Sequence, residues 1–259
     1  MNQAMSNMNT IHSTPKADKT NALVTGLLFL LAAITSIAAL KLYEPILFSP
    51  QYLLQGAANA HQIHLAALLE LLTVATVAGT GIMLYPYLRR FNESLGLGYL
   101  CFRLLEAILI LVGVVSVLAL LTLSQSFAHA AAPDAAAYQT SGTILKAIHD
   151  WTFMLGPNFM LGINTFLYSL VFYHSGLVPR KIALMGLAGS IFIFIASLLE
   201  MFGIIAQLSV WGMLLALPVF AYEMTLAVWL LIKGFNPEAL STRQTGTKSL
   251  QESESLLEY

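Results

Sequence analysis

The sequence predicts an all-α membrane protein, a bundle of six transmembrane helices with the N and C termini in the cytoplasm. Three observations carry this. Mean hydropathy is +0.75, with 58% hydrophobic and only 10% charged residues, where soluble domains carry about a quarter charged. Six apolar stretches are each long enough to cross a bilayer core, which takes about 20 residues. Nine of the twelve basic residues fall in every second gap between those stretches, as the positive-inside rule requires. Lys16 and Lys19, Arg89 and Arg90, Arg180 and Lys181, and Lys233, Arg243 and Lys248 mark the cytoplasmic gaps. Only Lys41 and Lys146 fall in the opposite set, and Arg103 alone lies inside a stretch.

Residues 1–20 are polar and lack apolar periodicity, which reads as a disordered cytoplasmic arm. The transmembrane domain covers 21–237, with spans at about 21–40, 65–87, 97–123, 147–173, 182–206 and 210–232. Ser36-Ile37-Ala38 loosely resembles a signal-cleavage site, but the first apolar run is too long for a signal core, so it is read as a retained span. Gln51 to His64 reads as a polar loop before the second span, and Ser124 to Gly142 as a loop broken by Pro133 and Asp134. Gly156-Pro157-Asn158 predicts a kink in the fourth span. A few residues around Gln207 leave a tight hairpin between the last two spans. Gly234 and Pro237 close the sixth, and 238–259 reads as a disordered cytoplasmic tail.

A charge at mid-bilayer costs about 2.5–3.5 kcal/mol on insertion scales, so each buried one needs a reason. Arg103 and Glu106 lie three residues apart on one helix face, within reach of each other. Glu223 lies at a similar depth in the sixth span. Together with Asn158 at the kink, they form a candidate ligand- or proton-binding set. The alternative for the Arg–Glu pair is an ion pair that only locks helices. His61, His64, Glu70, His149 and Glu200, with Asp150, make a second constellation of metal-ligating types in the outer half. It lacks the tight spacing of a metalloprotease motif, and an interfacial belt beside Trp151 accounts for part of it. The pattern Leu84-Tyr85, Arg89-Arg90, Gly96 and Gly98 is echoed by Leu167-Tyr168, Arg180-Lys181, Gly186 and Gly189; chance explains this better than a repeat.

The runs Leu84-Tyr-Pro-Tyr-Leu-Arg-Arg90, Leu97-Gly-Tyr-Leu-Cys-Phe-Arg-Leu-Leu-Glu-Ala107, Ser175-Gly-Leu-Val-Pro-Arg180 and Val228-Trp-Leu-Leu-Ile-Lys-Gly-Phe-Asn-Pro237 resemble a bacterial multi-pass membrane family, domain-of-unknown-function family 4386. The resemblance covers about Thr20 to Pro237, with the Phe-Arg-Leu-Leu-Glu stretch its most specific part. It implies a multi-pass membrane protein with Arg103 and Glu106 as family features, and it transfers no activity; the expected location is the bacterial inner membrane.

Three functions follow as expectations. The first is binding or transport of a small solute or protons at the Arg103–Glu106–Glu223 site. Six helices is small for a secondary transporter, which would call for a homo-oligomer. The second is a non-catalytic membrane subunit or sensor. The third is an intramembrane metal-dependent hydrolase. A single Cys101, a formal charge of −1 and the lack of nucleotide-, haem- or nucleophile-type motifs point away from disulfide scaffolds, nucleic acid and soluble-enzyme chemistry. The expected partners are the lipid bilayer and a small-molecule ligand, and no cofactor is specified.

Overall fold

A computed structural model of the chain describes residues 15–130 and 134–241. It is all-helical, with no strand among the described residues, and six of its helical segments are long and apolar enough to cross a membrane. In chain order, α1 is Pro15–Leu42, α2 Glu44–Leu47, α3 Tyr52–Ala58, α4 Ala60–Phe91 and α5 Glu93–His129. Then α6, Ala135–Met154, runs through a π-helical segment, Leu155–Met160, into α7, Leu161–Ser175, as one long span. The last two are α8, Arg180–Met201, and α9, Val210–Ile232.

Helix ends fall where local chemistry sets them. Pro15 at the start of α1 loses no hydrogen bond there, and Asp18 in the first turn complements the helix dipole. The helix therefore begins inside the segment expected to be a disordered arm, whose residues 1–14 lie outside the described residues. Asn92 caps α5 by accepting from Leu95 N at 2.9 Å, and Ser209 caps α9 by accepting from Gly212 N at 3.2 Å. Gly176 ends α7 in the left-handed region at φ 68°, a conformation that a side chain would strain.

Two expected loops are instead largely helical. The segment read as Gln51 to His64 contains α3 and the start of α4, because Leu53 and Gly56 bury against the end of α5. There the Ser124 hydroxyl donates to Leu53 O. The Ser124 to Gly142 loop shrinks to a short connection. The Ala-rich run is strongly helix-forming, so α5 continues to His129, and Asp134 caps α6 through Ala137 N at 3.2 Å. Pro133, which with Asp134 carried that loop reading, lies outside the described residues, as do Arg243, Lys248 and the tail from 242 onward.

The spanning helices form a closed ring: α1 packs on α4, α4 on α5, and α5 on the α6–α7 span. That span packs on α8, α8 on α9, and α9 back on α1. Small residues permit the close approaches. At Gly189 a methyl group would stand 2.8 Å from the Val219 backbone of α9, and at Gly186 it would collide with Ser169 and the Tyr222 ring. The end carrying Arg89, Arg90, Arg180, Lys181 and Lys233 is tied by polar bonds. Asn236 N donates to Leu177 O at 2.9 Å, and the Tyr87 hydroxyl donates to Asp18 Oδ1 at 2.8 Å. At the opposite end, α2 and α3 fold back on α4 and α5, and Gln62 Nε2 donates to Leu42 O at 3.0 Å.

Candidate functional site: an acidic cavity at the centre of the ring

Arg103 and Glu106 point into the ring because they share one face of α5 with Tyr99 and Ile110, all of them buried. Arg103 is one of the largest fully buried side chains in the structure, only 1% exposed. Its Nε donates to the Thr80 hydroxyl of α4 at 2.9 Å, and its Nη1 donates to Glu106 Oε2 at 3.0 Å. The same Nη1 stands 3.6 Å from Glu223 Oε1 of α9, an ion pair too long for a hydrogen bond. Asn164 of α7 donates its amide to Glu106 Oε2 at 2.7 Å. Four elements thus converge on one buried charge cluster.

The two carboxylates are not equivalent. Glu106 is held by Arg103 and Asn164, whereas Glu223 Oε1 is buried with no hydrogen-bond partner. Unsatisfied buried polar atoms are costly and few, and the Tyr99 and Tyr168 hydroxyls of the neighbouring aromatic layer share this state.

The cluster borders a cavity of about 330 Å³. Every span lines it, through residues such as Ser36, Thr73, Glu106, Asn158, Ile193 and Glu223. From the charge cluster it runs toward the end opposite the basic turns, where Tyr43, Glu70 and His149 line it. The Tyr43 hydroxyl and the Glu70 carboxylate interact with each other there. On the other side of the cluster the ring is filled by aromatic side chains. The Phe29 ring lies 5.4 Å from the Arg103 guanidinium, and Tyr168 packs on Phe29, Tyr99, Phe172 and Tyr222. All five rings are at most 1% exposed. The cavity therefore has a polar floor resting on a sealed aromatic layer.

The fourth span passes the site as a π-helical turn where the sequence predicts a kink. Pro157 supplies no backbone N–H, and Gly156 approaches the α5 backbone at Glu106 O. Asn158 lines the cavity, but its amide is committed to Glu200 Oε2 at 2.9 Å rather than to the charge cluster.

The expected outer constellation divides. Glu70 and His149 join the same cavity as Arg103, Glu106 and Glu223. His61 and His64 are exposed on α4, His149 pairs with the exposed Asp150 at 3.3 Å, and Glu200 is taken by Asn158. Among the described residues no group of three His, Cys, Asp or Glu is placed to hold a metal ion. Thr80 and Tyr43 are site residues that sequence reasoning passed over. A threonine in an apolar helix and a tyrosine near a helix end carry no distinguishing signal. Asn164 was legible as a residue that could add polar atoms to the face of the kink, but not as a partner of Glu106.

Comparison with curated proteins and with solved structures finds no match. One family model does match, across residues 24–234, and this interval contains all six spans almost entire together with the whole charge cluster. The chain belongs to the family described as domain of unknown function DUF4386, a multi-pass membrane family.

Proposed function

We propose that this protein binds, and moves, a small solute or protons through the central cavity of its six-helix ring. The carrying observation is Glu223 Oε1, a buried carboxylate oxygen without a hydrogen-bond partner, on the wall of a 330 Å³ cavity that all six spans line. Intramembrane ionisable groups mark ion and substrate paths, and they face cavities rather than lipid. Arg103, Glu106, Thr80 and Asn164 form the fixed part of the site, and Glu223 is the part with capacity to change partner. The clustering of basic turns at one end supports a reading with both termini in the cytoplasm of a bacterial inner membrane, in which the cavity runs toward the outer face.

The test is a proteoliposome experiment with trapped pyranine, alongside a thermal-shift screen of small solutes on the purified protein. The wild-type protein is expected to move protons across an imposed pH gradient, or to be stabilised by a solute. Glu106→Gln and Glu223→Gln are each expected to diminish that response at least tenfold while remaining monodisperse. If both variants stay well folded and match wild type in proton movement and in solute stabilisation, this reading fails.

A further inference from the structure

Resting on the reading above, we infer that the cavity's ligand is a lipophilic organic cation, a protonated amine or quaternary ammonium with an apolar body, which enters from the lipid between α1 and α9.

Charge sets the sign. Three carboxylates, those of Glu70, Glu106 and Glu223, line the cavity against one guanidinium and the His149 imidazole, which pairs with Asp150. That guanidinium is spent: its Nε is on Thr80, its Nη1 is on Glu106 and paired with Glu223, and its face lies over Phe29. An anion entering the cavity would meet carboxylates with no free cationic partner. A cation would meet two buried acceptors that lack hydrogen bonds, Glu223 Oε1 and Glu70 Oε2. The Tyr43 hydroxyl, on a residue only 1% exposed, interacts with Glu70 and adds a further polar atom to this wall.

The remaining wall sets the body of the ligand. Apart from Ser36, Thr73 and Asn158, the lining between the acidic groups is mostly carbon, from residues such as Ile37, Val77, Ile110, Phe153 and Phe220. Aromatic faces attract organic cations, and an apolar pocket with a few convergent polar groups is the usual form of a small-molecule site. Among the described residues no three His, Cys, Asp or Glu side chains are grouped closely enough to replace an inorganic cation's water.

The opening sets the route. Near the basic end α1 and α9 are pressed together, and a methyl group at Gly26 would stand 2.8 Å from Ala227 O. Farther along, Ser36 and Ile37 of α1 and Ala216 and Phe220 of α9 line the cavity. Ile37 is 53% exposed and Phe220 42% exposed, so these side chains border the cavity and the outside of the bundle at once. The outside of a spanning bundle at that level is lipid, so an amphipathic cation dissolved in the bilayer reaches the cavity laterally.

The experiment is equilibrium dialysis of the full-length protein in lipid nanodiscs with two probes of similar shape and opposite charge, 1-methyl-4-phenylpyridinium and biphenyl-4-carboxylate. The cation is expected to bind saturably and the anion to stay at the level of empty nanodiscs. Glu223→Gln is expected to weaken cation binding at least tenfold, with monodispersity checked alongside. Ala216→Trp, at the mouth and remote from the charge cluster, is expected to slow cation association at least fivefold by stopped-flow. Saturable binding of the anion without the cation overturns the ligand class yet leaves the proposed binding function standing. Cation association at the wild-type rate in Ala216→Trp overturns the lateral route. Failure of both probes, with no proton movement and no stabilising solute in the earlier assays, overturns the ligand class and the binding function together.

Discussion

At the scale of single residues, Arg103 joins three carboxylate and hydroxyl partners on three helices. Removing one member of a buried ion pair leaves the other charge uncompensated, at a cost of about 3–5 kcal/mol. Arg103→Ala is therefore expected to lose about that much stability in detergent unfolding. Arg103→Lys recovers only part of it, because one ammonium cannot serve Thr80 and Glu106 with the forked geometry of guanidinium. An Arg103→Lys protein as stable as wild type would show that the Thr80 bond contributes nothing. The Arg103–Glu106 pair was legible in the sequence because i,i+3 spacing fixes it on one helix. The roles of Thr80 and Asn164 were not, since they depend on how α4 and α7 are rotated against α5. Glu223 was legible as a buried carboxylate, while its lack of a hydrogen bond is a property of the assembled ring.

At the scale of elements, small residues govern how closely the helices approach. Gly189 is the sharpest case, because its obstruction is the Val219 backbone and not the tip of a flexible side chain. Overpacking costs about 1–3 kcal/mol. Gly189→Ala is expected to lower thermal stability by that amount in a detergent melting assay, whereas Gly176→Ala acts only through its φ of 68° at an open turn. Equal melting of Gly189→Ala and wild type would mean that α8 and α9 pack more loosely than described. The six spans were legible from hydropathy alone. The helices at the ends of the bundle were not: α3 is too short, at seven residues, to signal itself, and the Ala-rich run was set aside because of Pro133 and Asp134. Helix propensity and the Asp134 cap prevail on both sides of that proline.

At the scale of the whole molecule, the described basic residues of the alternating set, such as Arg89, Arg90, Arg180, Lys181 and Lys233, collect at one end of the ring, which is the physical basis for the proposed orientation in a bilayer. With Cys101 replaced by alanine, Lys41→Cys is expected to react with a membrane-impermeant maleimide in intact cells. Lys181→Cys should react only after permeabilisation, since both side chains are exposed but lie at opposite ends. The reverse pattern would invert the molecule and turn the cavity toward the cytoplasm. Ring closure of α9 on α1 gave no signal in the sequence, because the apolar faces of these spans differ little between lipid-facing and helix-facing positions. The aromatic layer under Arg103 has an electrical consequence. Where water fills the cavity, the membrane potential falls mainly across that thin dry septum and not across the full bilayer thickness. A charge at Glu223 then sits at the edge of a concentrated field worth about 2.3 kcal/mol per elementary charge per 100 mV. Voltage, as much as concentration, becomes a force on whatever the cavity holds.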